Sequence, residues 1–372
     1  SGDKNIYIGL QAGTDFDGGH ENVFIGTKSG KGQADSSIDQ SYFGEAYNNF
    51  IGYETGAYGT EGYRNNYIGF RAGAGSENTS DPSNSGANNT FIGSHTGEFN
   101  TTGVQNVFLG TYAGRENAAG QFNVCIGPYA GQSLVGQGDN QNPENRKNIN
   151  IGYYAGQMAD ESANPGTDNI MIGTSTEFAV GNIQRSIAIG IGVVIDSSDI
   201  VRIGNGSITS IGGGVNWTSY SDGRFKDNVI ESVPGLSFIN QLRPVQYNFN
   251  SNEFHNYLGV DLDNRNIASE NAKYEILQTG FIAQEVEQAA IDIAFNFNGV
   301  DKPKSSNGYY GLRYSEFVVP LVKAVQEQQI IIDDSKVEII DLETTVANQA
   351  AQIATLLDAI NDLDDRVRVL EN

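Results

Sequence analysis

Between Trp217 and Asn228 the chain reads WTSYSDGRFKDN, which places Ser221, Asp222, Arg224 and Lys226 within six residues. A serine hydroxyl is inert at neutral pH unless a base takes its proton. Lysine can be that base where burial or a neighbouring cation lowers its pKa. Arg224 is close enough in sequence to act as such a cation, or to clamp Asp222. Taken alone, the hexapeptide reads better as a polar turn with a solvated Lys226. Its meaning depends on the elements around it.

Few other residues offer chemistry. Cys125 is the single cysteine, so no intrachain disulfide or cysteine-based zinc cluster is available, and it reads as a small buried apolar residue. His20, His95 and His255 stand isolated in sequence, and no metal role is expected for them. Thr14–Gly19 (TDFDGG) resembles half a calcium loop without the closing glutamate, so no metal and no cofactor are expected. Glycoside hydrolysis needs two facing carboxylates, and the acids of the first half are scattered with no evident pair.

Upstream of Ser221 the chain repeats itself. NNYIGFRAG, NVFLGTYAG, NVCIGPYAG and NINIGYYAG begin at Asn65, Asn106, Asn123 and Asn148. Ile-Gly or Leu-Gly pairs start at Ile8, Ile25, Ile51, Ile68, Ile92, Leu109, Ile126, Ile151, Ile172, Ile189 and Ile203, with Phe43-Gly44 as a degenerate member. Several are spaced by 17 residues; wider gaps hold polar inserts such as SENTSDPSNSGANN and QGDNQNPENRKN. A fixed core with variable inserts predicts stacked coils whose insertions leave from one side. The apolar triplet favours strand, the glycine a corner with close packing or positive φ, and the leading Asn a ladder on its copies. One coil cannot bury its own face, but stacked coils can.

This repeat resembles the head repeat of trimeric autotransporter adhesins of the YadA type, through the Asn, the apolar pair, the Ile-Gly and the small residue that follows. The resemblance implies a β-roll. The coils here are longer and carry Tyr or Phe before Ile, which keeps an intertwined triple β-helix open as the rival. The region reads as an elongated fibre or adhesin, either a plain spacer or a receptor-binding head whose inserts contact a cell-surface glycan or protein.

After Gly212-Gly213-Gly214 glycines fall and charges rise. Three blocks follow in order: SDGRFK with GLSFINQLRPVQYNF, then GFIAQEVEQ from Gly280, then YGLRYSEFVVPLVKAVQEQQ from Tyr310. Together they resemble peptidase S74, the C-terminal intramolecular chaperone of phage endosialidase tailspikes and many tail fibres. The resemblance implies single-turnover autoproteolysis by a Ser–Lys dyad, with Ser221 the nucleophile and Lys226 the base, Asp222 and Arg224 in support, and no turnover of an external substrate. It points to the Ser221–Asp222 bond. Attack by a serine on its own carbonyl would close a strained four-membered ring, whereas attack on the preceding carbonyl closes a five-membered one and breaks Tyr220–Ser221; a neighbouring chain's serine could act in trans.

From Val325 the apolar positions step by three and four through Ile332, Ile339, Leu342, Val346, Ile353, Leu356, Ile360, Leu363, Val367 and Leu370, with polar intrusions at Gln328, Ser335 and Gln349. That is a heptad seam, and its mixed Ile, Leu and Val with core glutamines fits a trimer. The expected architecture is a mainly β repeat stalk (trimeric β-roll or β-solenoid), an α+β chaperone domain and a C-terminal trimeric coiled coil. The expected boundaries are 1–215, 216–324 and 325–372.

A net charge of −23 over 372 residues excludes nucleic acid and anionic membrane as natural partners. The chain starts at Ser1 without Met or signal peptide and reads as a fragment or processed form, with an attachment module to a baseplate or tail expected upstream. The functional expectation is a homotrimeric tail fibre of a phage or a contractile injection system, folded and then released by its own chaperone. The alternative is a cell-surface adhesin that keeps the S74-like part as an uncleaved cap.

Overall fold

The computed structural model describes residues 4–15, 19–32, 46–58, 62–75, 86–134, 145–159, 164–260, 262, 265–305 and 308–370. Phe43-Gly44, the middle of TDFDGG and most of the two longest inserts lie outside the described residues. The chain divides into two units: residues 1–214 with 248–278 and 303–309, and residues 215–247 with 279–302 and 310–372.

The first unit is built on a parallel β-solenoid. Its strands are β1 (Ile6–Ile8), β2 (Val23–Ile25), β3 (Asn49–Ile51), β4 (Asn66–Ile68), β5 (Thr90–Ile92), β6 (Val107–Leu109), β7 (Val124–Ile126) and β8 (Ile149–Ile151), then β9 (Gln157–Met158), β10 (Gly166–Thr167), β11 (Ile170–Ile172), β12 (Glu177–Phe178), β13 (Ile183–Gln184), β14 (Ile187–Ile189), β15 (Val194–Ile195) and β16 (Val201–Ile203). One sheet runs β1 to β8, then β11, β14 and β16, all parallel and in register. Each Ile-Gly pair is therefore one coil. Ile8 faces Ile25 and Ile92 faces Leu109 across the 17-residue gaps, and Ile25 still faces Ile51 across an insert. Successive coils of the same chain pair with each other, which overturns the intertwined triple β-helix for this region.

The coil's chemistry explains its sequence. In β2 to β8 the middle residue of the strand is buried, and Tyr7, Phe24, Phe50, Tyr67, Phe91 and Phe108 form one stack with ring centroids 4.7–5.1 Å apart. That repeat matches the spacing of hydrogen-bonded strands, so each ring lies flat on its copy. Cys125 continues the column; it is fully buried, and burial pushes its thiol up to about 12. Asn150 follows and donates to Cys125 Sγ at 3.7 Å.

The leading asparagines form a second column. The backbone N–H of each of Asn22, Asn48, Asn65, Asn89, Asn106, Asn123, Asn148 and Asn169 donates to the side-chain oxygen of the Asn one coil earlier, at 2.8–3.1 Å. The side-chain N–H₂ is used too: Asn106 Nδ2 donates to Gly120 O at 2.8 Å. Replacing Asn106 by Ala strips the partner from the buried Asn123 N–H and one of two donors from the Gly120 carbonyl, which keeps Asn117 Nδ2 at 3.2 Å. A loss of about 1–3 kcal/mol is expected in chemical denaturation, the cost of one orphaned buried group.

The corner glycine is equally constrained. Gly127 sits at φ +126°, and a Cβ there would lie 2.6 Å from Gly152 O. Gly127→Ala combines a disfavoured φ with a backbone clash and is expected to cost about 2–4 kcal/mol, readable as a lowered thermal midpoint.

Two helices, α2 (Ser251–Tyr257) and α3 (Ile267–Tyr274), complete this unit. They pack on the end of the solenoid: Ser251 Oγ donates to Gly206 O at 2.8 Å and Lys273 Nζ to Ile208 O at 2.6 Å.

The second unit has α1 (Leu236–Ile239), α4 (Ala283–Asp292) and the antiparallel pair β19 (Val300–Asp301) and β20 (Gly311–Leu312) around Phe238, Val286, Ala289, Ala290 and Phe317. Strands β17 (Val245–Asn248) and β18 (Leu277–Gly280) lie at the boundary of the two units. Helix α5 runs from Val318 to Leu370, 53 residues, and starts ahead of the seam read from Val325. Pro320 lies in its first turn, where a missing N–H costs nothing. Leu236 N donates to Glu327 Oε2 at 2.8 Å, and Gly235 lets α1 approach so closely that a Cβ would lie 2.6 Å from Ala324 N. Beyond this contact the seam is bare: Ile339, Leu342, Val346, Ile353, Leu356 and Ile360 are all more than half exposed.

Candidate active site

Residues 208–232 are exposed without interruption, including Trp217, Tyr220 and Phe225. Within this stretch one tight structure forms. Asp222 caps a 3-10 turn over Gly223–Phe225, its carboxylate accepting from Arg224 N at 2.9 Å, while Phe225 N donates to Asp222 O at 3.1 Å. Gly223 has nothing within 4 Å of an added Cβ, so the turn is set by its own hydrogen bonds.

The turn brings its two flanking side chains together. Lys226 Nζ donates to Ser221 Oγ at 2.7 Å, the reach a base needs to take a hydroxyl proton. Arg224 turns to Asp222, with Nη2 to Oδ2 at 2.6 Å. The guanidinium and the Arg224 N–H hold the Asp222 carboxyl below the usual carboxylate range, and the same pairing raises Arg224. Of the two parts open to Arg224, the clamp on Asp222 is the one the geometry gives it. The clamp fixes the turn, and the turn sets the Ser221–Lys226 separation.

Residues 221–294 match the family model of Peptidase S74, the chaperone of endosialidase. The match opens on Ser221 itself, and it spans the first two sequence blocks and stops before the third. No curated protein and no solved structure matches the chain significantly. The matched segment thus begins at the serine of the pair, immediately after the aromatic Tyr220.

The other candidates fall elsewhere. Cys125 lies deep in the coil column. His95 stacks on Tyr112 at 5.0 Å, with Nδ1 3.0 Å from Glu98 Oε2. Among the described residues no three His, Cys, Asp or Glu side chains converge to hold a metal, and no helix is long and apolar enough to cross a membrane.

His255 corrects the sequence reading, which left it isolated. It is buried on α2, with Nδ1 2.7 Å from Glu270 Oε1 on α3, and Arg265 Nε binds the same carboxylate oxygen at 2.9 Å. Arg265, then His255, hold the Glu270 carboxyl below its ordinary value against the opposing effect of burial. Sequence could not show this cluster, because its partners come from a helix and a loop that only the fold brings beside α2. The available signal was the Asn cap before each short helix, Asn250 and Asn266, which marks two helix starts close together.

Proposed function

We propose that the chain is a homotrimeric fibre of tail-fibre type, whose S74 segment guides assembly of the solenoid and then parts from it by a single self-cleavage at Ser221. The observation that carries the reading is the 2.7 Å contact between Lys226 Nζ and Ser221 Oγ at the first residue of the S74 match. The trimer rests on the bare heptad face of α5.

In this scheme a neutral Lys226 accepts the Ser221 proton as Oγ attacks a carbonyl carbon. The peptide C–N bond breaks, the departing amine takes the proton back from Lys226, and the ester left on Oγ is hydrolysed by water, freeing the serine. Attack on the Tyr220 carbonyl separates Tyr220 from Ser221; a serine from a neighbouring chain reaches the Ser221–Asp222 bond without ring strain. The solenoid gains from a guide because its coils are alike, so a slipped register is nearly isoenergetic until three chains are aligned. Once the guide leaves, unfolding has no template for return, and the fibre is kinetically trapped. The working location is a virion tail, an injection-system fibre or another extracellular surface, with attachment and receptor contact made elsewhere on the fibre. The test is the intact mass of the wild type against Ser221→Ala: two fragments against one.

A second reading is an adhesin with a permanent cap. It draws on the exposure of the whole dyad stretch, where no described group shields Lys226 from water. A wild-type trimer of full-length chains would favour it.

A further inference from the structure

The Asn and ring columns do not tell one coil from the next. If the coil of β5 were looped out and that of β6 took its place, Phe108 would stack on Tyr67. Asn106 N would donate to Asn65 Oδ1, and Gly110 would lie against Gly69, just as their equivalents do now. The looped-out length would add little further cost as it grew. Discrimination has to come from outside the columns.

It lies on the flank after the Ile-Gly corner. From the coil of β2 to that of β6 this flank carries Lys28, Glu54, Arg71, Glu98 and Arg115, alternating in sign. Lys28 Nζ donates to Glu54 Oε1 at 2.8 Å. Arg71 Nε lies 3.8 Å from Glu54 Oε2 and 3.1 Å from Glu98 Oε1. Arg115 Nε donates to Glu98 Oε2 at 2.8 Å, the oxygen that His95 also faces. The Glu54 and Glu98 side chains are only 8 % and 3 % exposed. Charges sheltered in this way are screened less than open surface pairs.

Leaving out any one of these coils brings like charges together. Without β3, Lys28 meets Arg71; without β4, Glu54 meets Glu98; without β5, Arg71 meets Arg115. A second series follows at the residue before the Asn-column position. Lys147 Nζ lies 3.9 Å from Asp168 Oδ1, and Arg185 Nε donates to Asp199 Oδ1 at 2.6 Å. Asp199, and more weakly Asp168, raise the Arg185 pKa. Without β11, Lys147 meets Arg185; without β14, Asp168 meets Asp199. Loss of the β6 coil is different, because it brings the neutral Gln132 beside Glu98.

We propose that the alternating charges are a register code, which disfavours skipping a coil while the solenoid of one chain stacks. Alignment between chains is a separate matter, and the code is independent of the Ser221–Lys226 pair.

The test uses the full chain carrying Ser221→Ala, so that self-cleavage alters no sample. Two coils are deleted in turn, residues 89–105 and residues 106–122; each cut keeps the columns in phase. Arg115→Glu is then placed in the intact chain and in the 89–105 deletion, and thermal unfolding is followed at low salt. In the intact chain Arg115→Glu sets a carboxylate against Glu98 and is expected to lower the midpoint by at least about 4 °C. In the 89–105 deletion the same substitution faces Arg71 and is expected to raise it. Arg115 also contacts Glu116 at 3.1 Å, but that contact is lost in both backgrounds and cannot reverse the sign. Both shifts should shrink at about 1 M salt. If the 89–105 deletion does not fold, Arg115→Glu should restore a cooperative transition. A shift of the same sign in both backgrounds, a failed restoration, or a 106–122 deletion less stable than the 89–105 deletion would each overturn the proposal.

Discussion

Purified wild-type chain, held at neutral pH after assembly, is expected to resolve into two fragments by intact-mass spectrometry, while Ser221→Ala and Lys226→Ala are expected to remain whole at 40.0 kDa. The effect is expected to be all-or-none, because without the oxygen no ester forms and without the amine nothing takes its proton. The fragment masses fix the scissile bond, since Tyr220–Ser221 and Ser221–Asp222 cleavage differ by one serine residue. Arg224→Ala leaves both reacting groups in place but removes the clamp on Asp222 that stabilises the turn. Cleavage slower by roughly ten- to a hundredfold follows, the usual consequence of a small misplacement of reacting groups. A wild type that forms trimers and stays whole would sink the dyad and favour the permanent cap.

The second large effect concerns α5. If the proposed trimer forms through α5, replacing Leu342, Val346, Ile353 and Leu356 by Asn is expected to turn it into monomer or aggregate in sedimentation velocity. A buried Leu, Ile or Val side chain contributes about 1.5–3 kcal/mol, so four per chain are comparable with the whole stability margin of a domain. These positions make no core contact within one chain, so a single chain should keep its helix while losing its partners. If folding is guided from this end, the solenoid of the variant should also fail to reach its protease-resistant state. A variant that still sediments as a trimer would show that the bare face is not the assembly interface.

The solenoid was legible because its determinants are local and repeated. Asn106, Phe108, Gly110 and Gly114 each do the same job in neighbouring coils, so the sequence shows every constraint many times over. The coil read from the pattern is the coil observed, with the single-chain pairing deciding against the interwoven alternative. The closeness of Ser221 and Lys226 was accessible for a similar reason: one short turn separates them. What could not be read was non-local. Nothing around His255 announces that Glu270 and Arg265 will close on it, nor that α2 will settle over the last coil. Those contacts depend on tertiary packing, which leaves no period in the sequence. The segment from 208 to 232 presents the reverse case: its sequence carries Trp217, Tyr220 and Phe225, residue types that normally pack, yet all three are largely exposed, with only the Arg224 guanidinium over the Phe225 ring.

The register of the coils has a consequence for how such a chain can change over generations. Ile25 pairs with Ile51, and Ile126 with Ile151, as cleanly as Ile92 pairs with Leu109, although the intervening lengths differ. Lengthening a loop costs only slowly with its size, so what each coil displays on its flank can be exchanged without touching the Asn and ring columns. Because β5, β6 and β7 are successive equal steps, a whole coil can be deleted or duplicated and the neighbours will close with the contacts they already make. Reach and surface can thus be varied by copying errors between near-identical stretches of coding sequence, with no search for a new core.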